Sequence, residues 1–281
     1  LLHASRLPAK QTDVAASLIE KYHQDALDQG ARIRDGLRDA VKDVLELLGT
    51  GFLKHPSNGK LLKQLEVGNS DGDALTSKDY YQNLLRLVYR LLFLFVAEER
   101  GLLFLPNVSP RLRTMYLCYY SLARFRRMAE RPHLIDKAYS DHWQGLRSTF
   151  RLFEFDGPGE KLGISPLGGY LFSAAALGPL ADAALGNADL IQALGKLCFF
   201  ARPDGTRSAV NFGALATEEL GSVYESLLEL NPVIEGQIFS FRKAAGNERK
   251  TSGSYYTPDS LVQCLLDSAL EPVMDDAVKN L

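Results

Sequence analysis

The sequence has few cysteines, and their spacing forms no familiar pattern. Its 281 residues contain three, Cys118, Cys198 and Cys264, and none forms a Cys-x-x-Cys pair or lies at ligand spacing from a histidine. Disulfide frameworks use an even number of cysteines, and structural zinc sites use closely spaced Cys and His ligands. We therefore predict three buried thiols in a reducing compartment and no metal site.

The sequence also lacks a strong charge of either sign and a long apolar run. The formal net charge is −2, so any contact with nucleic acid must come from local basic patches. The most apolar run, residues 84–97, contains Arg86 and Arg90 and is shorter than the roughly 20 residues that span a bilayer. A hydrophobic content of 46% and a charged content of 23% are typical of a soluble globular protein. We expect a cytoplasmic protein without a membrane partner.

Helical periodicity dominates what the sequence does contain. A helix is predicted from Val14 to Leu48, where Leu48-Gly49-Thr50-Gly51 is expected to end it. Residues 79–100 are apolar almost all round, which predicts a buried central helix. Further helices are predicted over 142–155, 177–200 and 212–230. The apolar stripe of the first helix comprises Ile33, Leu37, Val41, Val44 and Leu48.

A change of pattern follows Asn231-Pro232. Residues 233–242 alternate well enough from Gln237 onward to form a strand, the clearest in the sequence. We place a domain boundary near residue 232, between a helical domain and the beginning of a second one. The predicted fold class is mostly α.

Residues 111–131 combine arginines with aromatics. They contain six arginines and one acid, Glu130. Arginines interleaved with tyrosines can bind a phosphate backbone, so Arg124, Arg126 and Arg127 are candidate DNA-binding residues. The alternative is a helix with a solvated basic face and a tyrosine-rich core face. The apolar positions of that core face are Leu112, Tyr116, Tyr119, Leu122 and Phe125.

The chemically most suggestive stretch is Arg249 to Pro258, with the sequence Arg-Lys-Thr-Ser-Gly-Ser-Tyr-Tyr-Thr-Pro. Thr257 is placed to cap a helix and Pro258 to occupy its first turn. An apolar stripe beginning Leu261-Val262 follows, and Glu271-Pro272 is expected to stop the helix. Such a loop delivers Tyr255 and Tyr256 to a helix N-terminus, where anionic groups bind. An ordinary capped helix after a basic, solvated loop remains the alternative.

This stretch resembles the segment that opens the methyltransferase domain of large N6-adenine DNA methyltransferases. These are the Eco57I-like proteins of fused (type IIG or IIL) restriction-modification enzymes, with relatives in the BREX and DISARM phage-defence systems. Residues 89–103 and 219–229 are similar to helical segments that recur upstream of that domain. In the family the Tyr-Tyr-Thr-Pro segment lies against S-adenosylmethionine, and its helix packs on the sheet that carries the rest of the cofactor site.

The resemblance implies a role for each matching residue. Tyr255, Tyr256, Thr257 and Pro258 would line the cofactor site, and Gly253 would allow the turn. Arg249 and Lys250 beside them are further candidates for contact with DNA phosphate. Residues 1–232 would form a helical connector domain, and residues 233–281 the first strand, loop and helix (the motif X region) of a class I methyltransferase α/β domain.

The chain lacks the motifs of the chemical step itself. The family's catalytic signature, Asn/Asp/Ser-Pro-Pro-aromatic, is absent, since no Pro-Pro pair occurs. We expect it beyond residue 281, and because the first residue is Leu1 we expect a piece of a longer chain. We assign no catalytic residue and no metal; Mg²⁺ would be needed only by a fused nuclease.

Two functional hypotheses follow. In the first, the parent protein transfers a methyl group from S-adenosylmethionine to adenine in double-stranded DNA, and its partners are DNA and the rest of the same polypeptide. In the second, the chain is a non-enzymatic helical module that binds DNA or protein.

Overall fold

The structure, a computed structural model, is mostly helical and has two small antiparallel sheets, which confirms the predicted mostly-α class. It describes residues 18–66, 75–201, 206–215, 220, 221, 223, 227, 230–242 and 259–279. The α-helices are α1 (Leu18–Lys54), α2 (Gly59–Glu66), α3 (Ser77–Glu99), α4 (Pro110–Tyr119), α5 (Ala123–Glu130), α6 (Asp141–Arg151), α7 (Asn187–Cys198), α8 (Asp259–Leu265) and α9 (Glu271–Lys279). The strands are β1 (Phe199–Ala201), β2 (Arg207–Ala209), β3 (Asn231–Glu235) and β4 (Ile238–Arg242).

The longest helix, α1, inserts one side into the core. Four members of its predicted stripe, from Leu37 to Leu48, are buried, and the side chain of Ile33 lies outside the described part of the chain. The prediction that the helix ends at residues 48–51 is wrong, because α1 continues to Lys54. A Cβ at Gly49 would lie 2.7 Å from the ring of Phe239, and one at Gly51 would lie 2.8 Å from Leu185. The two glycines therefore allow close packing and do not end the helix.

Helix α3 is the central helix of the fold, as predicted. It begins with a capping box, in which the Thr76 hydroxyl accepts the Asp79 N–H and the Asp79 carboxylate accepts the Thr76 N–H. Its buried residues lie all round the helix, including Tyr80, Leu87 and Phe95. No helix among the described residues is both long and apolar enough to cross a membrane.

The arginine-rich segment forms two helices, α4 and α5. The helix is interrupted between Tyr120 and Leu122, where the Leu122 N–H donates to the Glu98 carboxylate at 2.8 Å. The predicted core stripe is confirmed at Tyr116, Leu122 and Phe125, whereas Tyr119 is exposed. The break rotates the second helix relative to the first, so a single helical periodicity does not describe both.

The segment 177–200 is not a single helix, contrary to the prediction. It begins in a 3₁₀ helix (Ala174–Ala181), continues through α7, and ends in β1, which pairs with β2. The guanidinium of Arg207 on β2 donates to the Gly195 carbonyl and lies 4.4 Å from the centre of the Phe199 ring. Pairing with a strand eight residues further along the chain overrides the local helical pattern.

Residues 231–242 form a hairpin, where a single strand was predicted over residues 233–242. β3 and β4 pair antiparallel, and a two-residue turn of Gly236 and Gln237 joins them. Gly236 has a φ of +61°, which suits the first turn position of a type II′ hairpin. Phe239 of β4 is 1% exposed and belongs to the core that α1 and α3 build. The predicted boundary near residue 232 thus falls at a hairpin that is continuous with the helical core.

The terminal segment is one continuous helical run. α8 passes into α9 through a π-helical turn, Leu266–Leu270, and so the prediction that Glu271-Pro272 stops the helix is wrong. Proline lacks the N–H that continues an α-helical ladder. The π turn directly before Pro272 already departs from the α-helical hydrogen-bond pattern, so the helix continues through the proline.

Candidate functional site

The predicted cofactor segment itself lies outside the described residues. This applies to Gly253, Tyr255, Tyr256, Thr257 and Pro258, and also to Arg249 and Lys250, all of which fall within 243–258. Their roles remain predictions. The structure describes the elements on either side, the β3–β4 hairpin and the α8–α9 helix.

The hairpin before this segment is fixed to α1 and α3 by an aromatic cluster. The Phe239 ring lies 5.6 Å from that of Tyr80 and 5.2 Å from that of Phe241, and the Tyr81 ring lies 5.4 Å from Phe241. The Tyr80 hydroxyl donates to the Gly49 carbonyl at 2.7 Å. Edge-to-face aromatic pairs with a satisfied phenol hold a defined geometry. The chain therefore leaves the helical domain from a fixed strand that ends at Arg242.

The helix after this segment presents an apolar stripe that nothing in the described structure covers. Every residue from 260 to 279 is exposed, including Leu265 at 65% and Val278 at 69%. A helix with one apolar face normally buries that face. The stripe comprises Leu261, Val262, Leu265, Leu266, Ala269, Leu270, Val273, Met274, Ala277 and Val278.

The spacing of this stripe explains the π turn. Its apolar pairs recur every four residues, from Leu261-Val262 to Ala277-Val278. At 3.6 residues per turn, each four-residue step overshoots a full turn by about 40°, so the stripe would wind around a straight α-helix. A π turn holds more residues per turn and rotates the stripe back. The turn lies at Leu266–Leu270, in the middle of the stripe, where it reduces this winding.

Of the three candidate DNA-binding arginines on α5, Arg126 is bonded within the fold. Its guanidinium forms an ion pair with Glu99 at 2.5 Å and donates to the Val210 carbonyl at 2.7 Å. Its guanidinium also lies about 6 Å from the ring centres of Phe199 and Phe212. These contacts give Arg126 a structural role in joining α3, α5 and the β2 strand.

Arg124 and Arg127 differ from it. Arg124 is half-buried against Gly145 of α6, and its Nε is buried without a hydrogen-bond acceptor in the described structure. Burial lowers the pKa of the Arg124 guanidinium. Arg127 is exposed. Of the three candidates, these two are the ones whose guanidinium groups are not committed to an internal acceptor.

Glu98, at the end of α3, is a half-buried carboxylate that accepts several hydrogen bonds. It accepts hydrogen bonds from the Tyr116 hydroxyl at 2.7 Å, the Ser121 hydroxyl at 2.6 Å and the Leu122 N–H at 2.8 Å. Burial raises the pKa of Glu98 above its ordinary value of 4.5. The network joins the end of α3 to the α4–α5 turn.

Glu99 and Arg100 extend the same arrangement to a different part of the chain. Glu99 accepts the Gly213 N–H at 2.8 Å, and Arg100 donates to the carbonyls of Gly213 and Leu215. Glu99 also forms the ion pair with Arg126. The sequence analysis did not identify Glu98 as a hydrogen-bonded, half-buried carboxylate. A charged residue directly after a long apolar run was the available signal.

The Gly168-Gly169 turn packs on a buried arginine. Arg90 of α3 donates to the carbonyls of Leu171 and Ser173, each at 2.7 Å, and its guanidinium lies over the Phe172 ring. Gly169 has a φ of +95°, which favours glycine. Desolvation lowers the pKa of Arg90 to about 10. This turn has a packing role.

The described residues offer no cluster that could hold a metal ion. No group of three His, Cys, Asp or Glu side chains among them lies close enough to hold a metal ion. A groove of about 490 Å³ between α1, α7 and β4 carries both charges, and an ion pair between Lys196 and Asp43 bridges part of its wall. Cys198 is buried as predicted, whereas the prediction of buried thiols is wrong for Cys118 and Cys264, which are exposed.

Comparisons with protein-family models, curated proteins and solved structures found no match to this chain. The contacts of the described residues and the sequence resemblance must therefore carry any functional conclusion.

Proposed function

We propose that this chain is the helical connector and the opening strand-loop-helix part of a bacterial S-adenosylmethionine-dependent DNA methyltransferase. The intact protein methylates adenine N6 in a specific DNA sequence, as part of a restriction-modification or phage-defence system. It works in the cytoplasm, and the present part contributes no catalytic group.

The observation that carries this proposal is the exposed apolar stripe of α8–α9, which we call the seam. A helix that buries nothing of its own domain needs an apolar partner, and a sheet face is one common partner of such a helix. In the resembled family, the helix after the Tyr-Tyr-Thr-Pro segment packs on the methyltransferase sheet. The seam follows residues 255–258 directly, in the same order.

The segment between the hairpin and α8 contains residue types that suit the cofactor. The rings of Tyr255 and Tyr256 can stack on a heterocycle, and Thr257 can hydrogen-bond to it. The described part of α8 starts at Asp259, directly after Pro258. When bound, S-adenosylmethionine supplies the methyl group. The residues of this chain would bind and orient it, and they move no proton.

The helical domain supports this role by fixing the start of the loop. Phe239 lies in the core, and Arg242 ends a strand that packs on α1 and α3. A rigid entry point reduces the conformational freedom that the loop would lose on binding a ligand. We infer that the connector positions the methyltransferase and target-recognition parts relative to each other.

The proposal is tested by transfer of labelled methyl from S-adenosylmethionine to duplex DNA by the intact gene product, with Tyr256→Ala beside it. Tyr139→Ala, at an exposed tyrosine of the helical domain, is the matched control. We expect label on adenine N6 that falls at least tenfold in Tyr256→Ala and stays unchanged in Tyr139→Ala.

Two other results are informative. Equal label in all three proteins would support the methyltransferase activity and show that Tyr256 does not contribute to the cofactor site. No label on any DNA substrate would overturn the proposed activity.

A second experiment addresses the seam. Leu265→Asp places a charge in the apolar stripe, whereas Ser260→Asp places the same charge outside it. In the intact product we expect Leu265→Asp to lower the melting temperature and methyl transfer, because a buried unpaired charge is costly. Equal behaviour of the two variants would show that the seam stays uncovered.

The competing function, a non-enzymatic DNA- or protein-binding module, is favoured by one observation. Arg111, Arg113, Arg127 and Arg131 are exposed, and unpaired cations suit a polyanion. A module would keep its DNA affinity after deletion of residues 243–281, and its gene product would transfer no methyl group.

A further inference from the structure

Helix α5 carries a one-sided row of arginines. Arg124 and Arg127 occupy positions i and i+3 of α5, about 60° apart around the helix, and Arg131 follows directly after Glu130, the last helical residue. Arg126 lies on a different side, where it pairs with Glu99. Glu130, the one acid of α5, lies about 90° from the middle of the row. We call Arg124, Arg127 and Arg131 the α5 arginine row.

The row has no internal acceptors. In the described structure, none of its three guanidinium groups forms a hydrogen bond or an ion pair with a protein group. Arg90, Arg100, Arg126 and Arg207, by contrast, all donate to backbone carbonyls. These four arginines thus have backbone acceptors and the row has none, although the Arg124 guanidinium lies 4.4 Å from the centre of the Phe125 ring.

Arg124 is placed unfavourably unless an anion is bound. It lies in the first turn of α5, where the helix dipole is positive and disfavours a cation. Its Nε is buried without an acceptor, and such an unsatisfied donor is costly. Burial is the main effect on the pKa of the Arg124 guanidinium and the charge of Glu98 partly offsets it, but the hydrogen bonds of Glu98 go to Tyr116, Ser121 and Leu122. Local arrangements that break the usual rules are expected at functional positions.

The neighbouring helix keeps the surface open and free of acids. Gly145 of α6 lies against the Arg124 guanidinium, and a side chain there would lie 3.0 Å from its Nη2. Between His142 and Arg151, α6 contains no Asp or Glu and two arginines. Asp141, at the start of α6, accepts a hydrogen bond from Asn187.

We propose that the α5 arginine row binds the phosphate backbone of duplex DNA. The row is about 10 Å long, at 1.5 Å per residue, and so it spans about three base-pair steps of 3.4 Å. Guanidinium groups bind phosphate oxygens with paired, charge-assisted hydrogen bonds. This inference rests on the proposed function, which identifies the polyanion as DNA. It adds that the DNA backbone runs along the α5 arginine row.

The test measures the affinity of the 281-residue chain for a 20-base-pair duplex by fluorescence anisotropy, at several salt concentrations. The variant is Arg127→Gln with Arg131→Gln, because both side chains are exposed and their loss leaves the core intact. The matched control is Arg38→Gln with Lys60→Gln, which removes the same charge from exposed positions on α1 and α2.

We expect the plot of log affinity against log salt to lose about 2 from its slope in the row variant, since each phosphate contact contributes about 0.9. At roughly 50 mM salt the row variant should bind about tenfold more weakly or worse. The control should keep the slope of the unmodified chain.

Four results would overturn the inference: no binding of DNA by the unmodified chain at low salt, an unchanged row variant, equal losses in row variant and control, or tighter binding of a duplex RNA of the same length. Methyl transfer by the intact product is measured separately. If methyl transfer is found and the row variant binds DNA with unchanged affinity, the proposed function stands and the row has no role in DNA binding. If the row variant loses DNA affinity specifically and no methyl transfer is found, the row binds DNA and the proposed enzymatic activity is wrong.

Discussion

The Thr50 hydroxyl bonds both backbone groups of Phe239, a residue 189 positions away. It accepts the Phe239 N–H at 3.1 Å and donates to the Phe239 carbonyl at 3.3 Å. Phe239 is opposite Ile234 in the hairpin register, at a position whose own N–H and C=O point away from β3. A threonine on a helix thus takes the place that a further strand would occupy.

The first prediction concerns this contact. Thr50→Val keeps the shape of the side chain and removes both hydrogen bonds. Because the N–H and C=O of Phe239 lose their partner, we expect the free energy of unfolding to fall by about 1–3 kcal/mol. Urea unfolding measures it. Thr114→Val, at an exposed site on α4, should stay within about 0.5 kcal/mol, and equal effects of the two variants would contradict the role of Thr50.

The second prediction compares two glycines of one helix. A Cβ at residue 49 would lie 2.7 Å from the Phe239 ring, whereas one at residue 36 has nothing within 4 Å. Gly36→Ala should stabilise by about 0.5–1 kcal/mol, because alanine loses less conformational freedom. Gly49→Ala should destabilise by about 1–3 kcal/mol through overpacking. Stabilisation by both variants, in thermal or urea unfolding, would show that α1 and β4 do not approach so closely.

The third prediction is a pH dependence at Glu98. Burial raises the folded-state pKa above 4.5, so between these two values the folded state binds more protons than the unfolded state. Stability from this group therefore falls as pH rises through that window. Glu98→Gln removes the titration and mimics the protonated acid, since its oxygen can accept from Tyr116 and Leu122 while its amide donates to the Ser121 hydroxyl.

The measurement is unfolding of both proteins between about pH 4.5 and pH 8. Relative to Glu98→Gln, the unmodified protein should be most stable at the acid end and lose that advantage as pH rises. A difference that grows with pH would mean that the three donors lower the pKa of Glu98 more than burial raises it.

The fourth prediction separates Arg126 from Arg127. Arg126→Gln removes the ion pair with Glu99 and the bond to Val210, so we expect a loss of about 1–2 kcal/mol in urea unfolding. Arg127→Gln changes an exposed side chain and should leave stability within about 0.5 kcal/mol. The assignments would be reversed if Arg127→Gln were the destabilising variant.

The elements that the sequence predicted well depend on local periodicity. The buried face of α1 and most of α3 follow from apolar spacing alone. The errors occur where distant contacts decide. Gly49 and Gly51 have the local character of a helix end, but Phe239 and Leu185 use them for close packing. Phe199 and Phe200 continue a helical pattern, yet pairing with β2 extends them.

The same distinction applies to the candidate site. Composition identified the 111–131 arginines as a group, because arginine content is a local property. It could not separate Arg126, which binds Glu99, from Arg127, which is exposed, since that depends on how α5 packs on α3 and α7. The stripe of α8–α9 was visible in the sequence, whereas its π turn follows from a four-residue repeat extended over both helices.

The burial of Phe239 has a consequence for synthesis of the protein on the ribosome. α1 is made early, but its surface around Gly49 and Thr50 receives its partner only when β4 has been translated. At about 5–20 residues per second, the 189 residues between Thr50 and Phe239 take roughly 10 to 40 s. During that time an apolar side of α1 and α3 stays open to water and to chaperones, and the last residues of the helical domain close it.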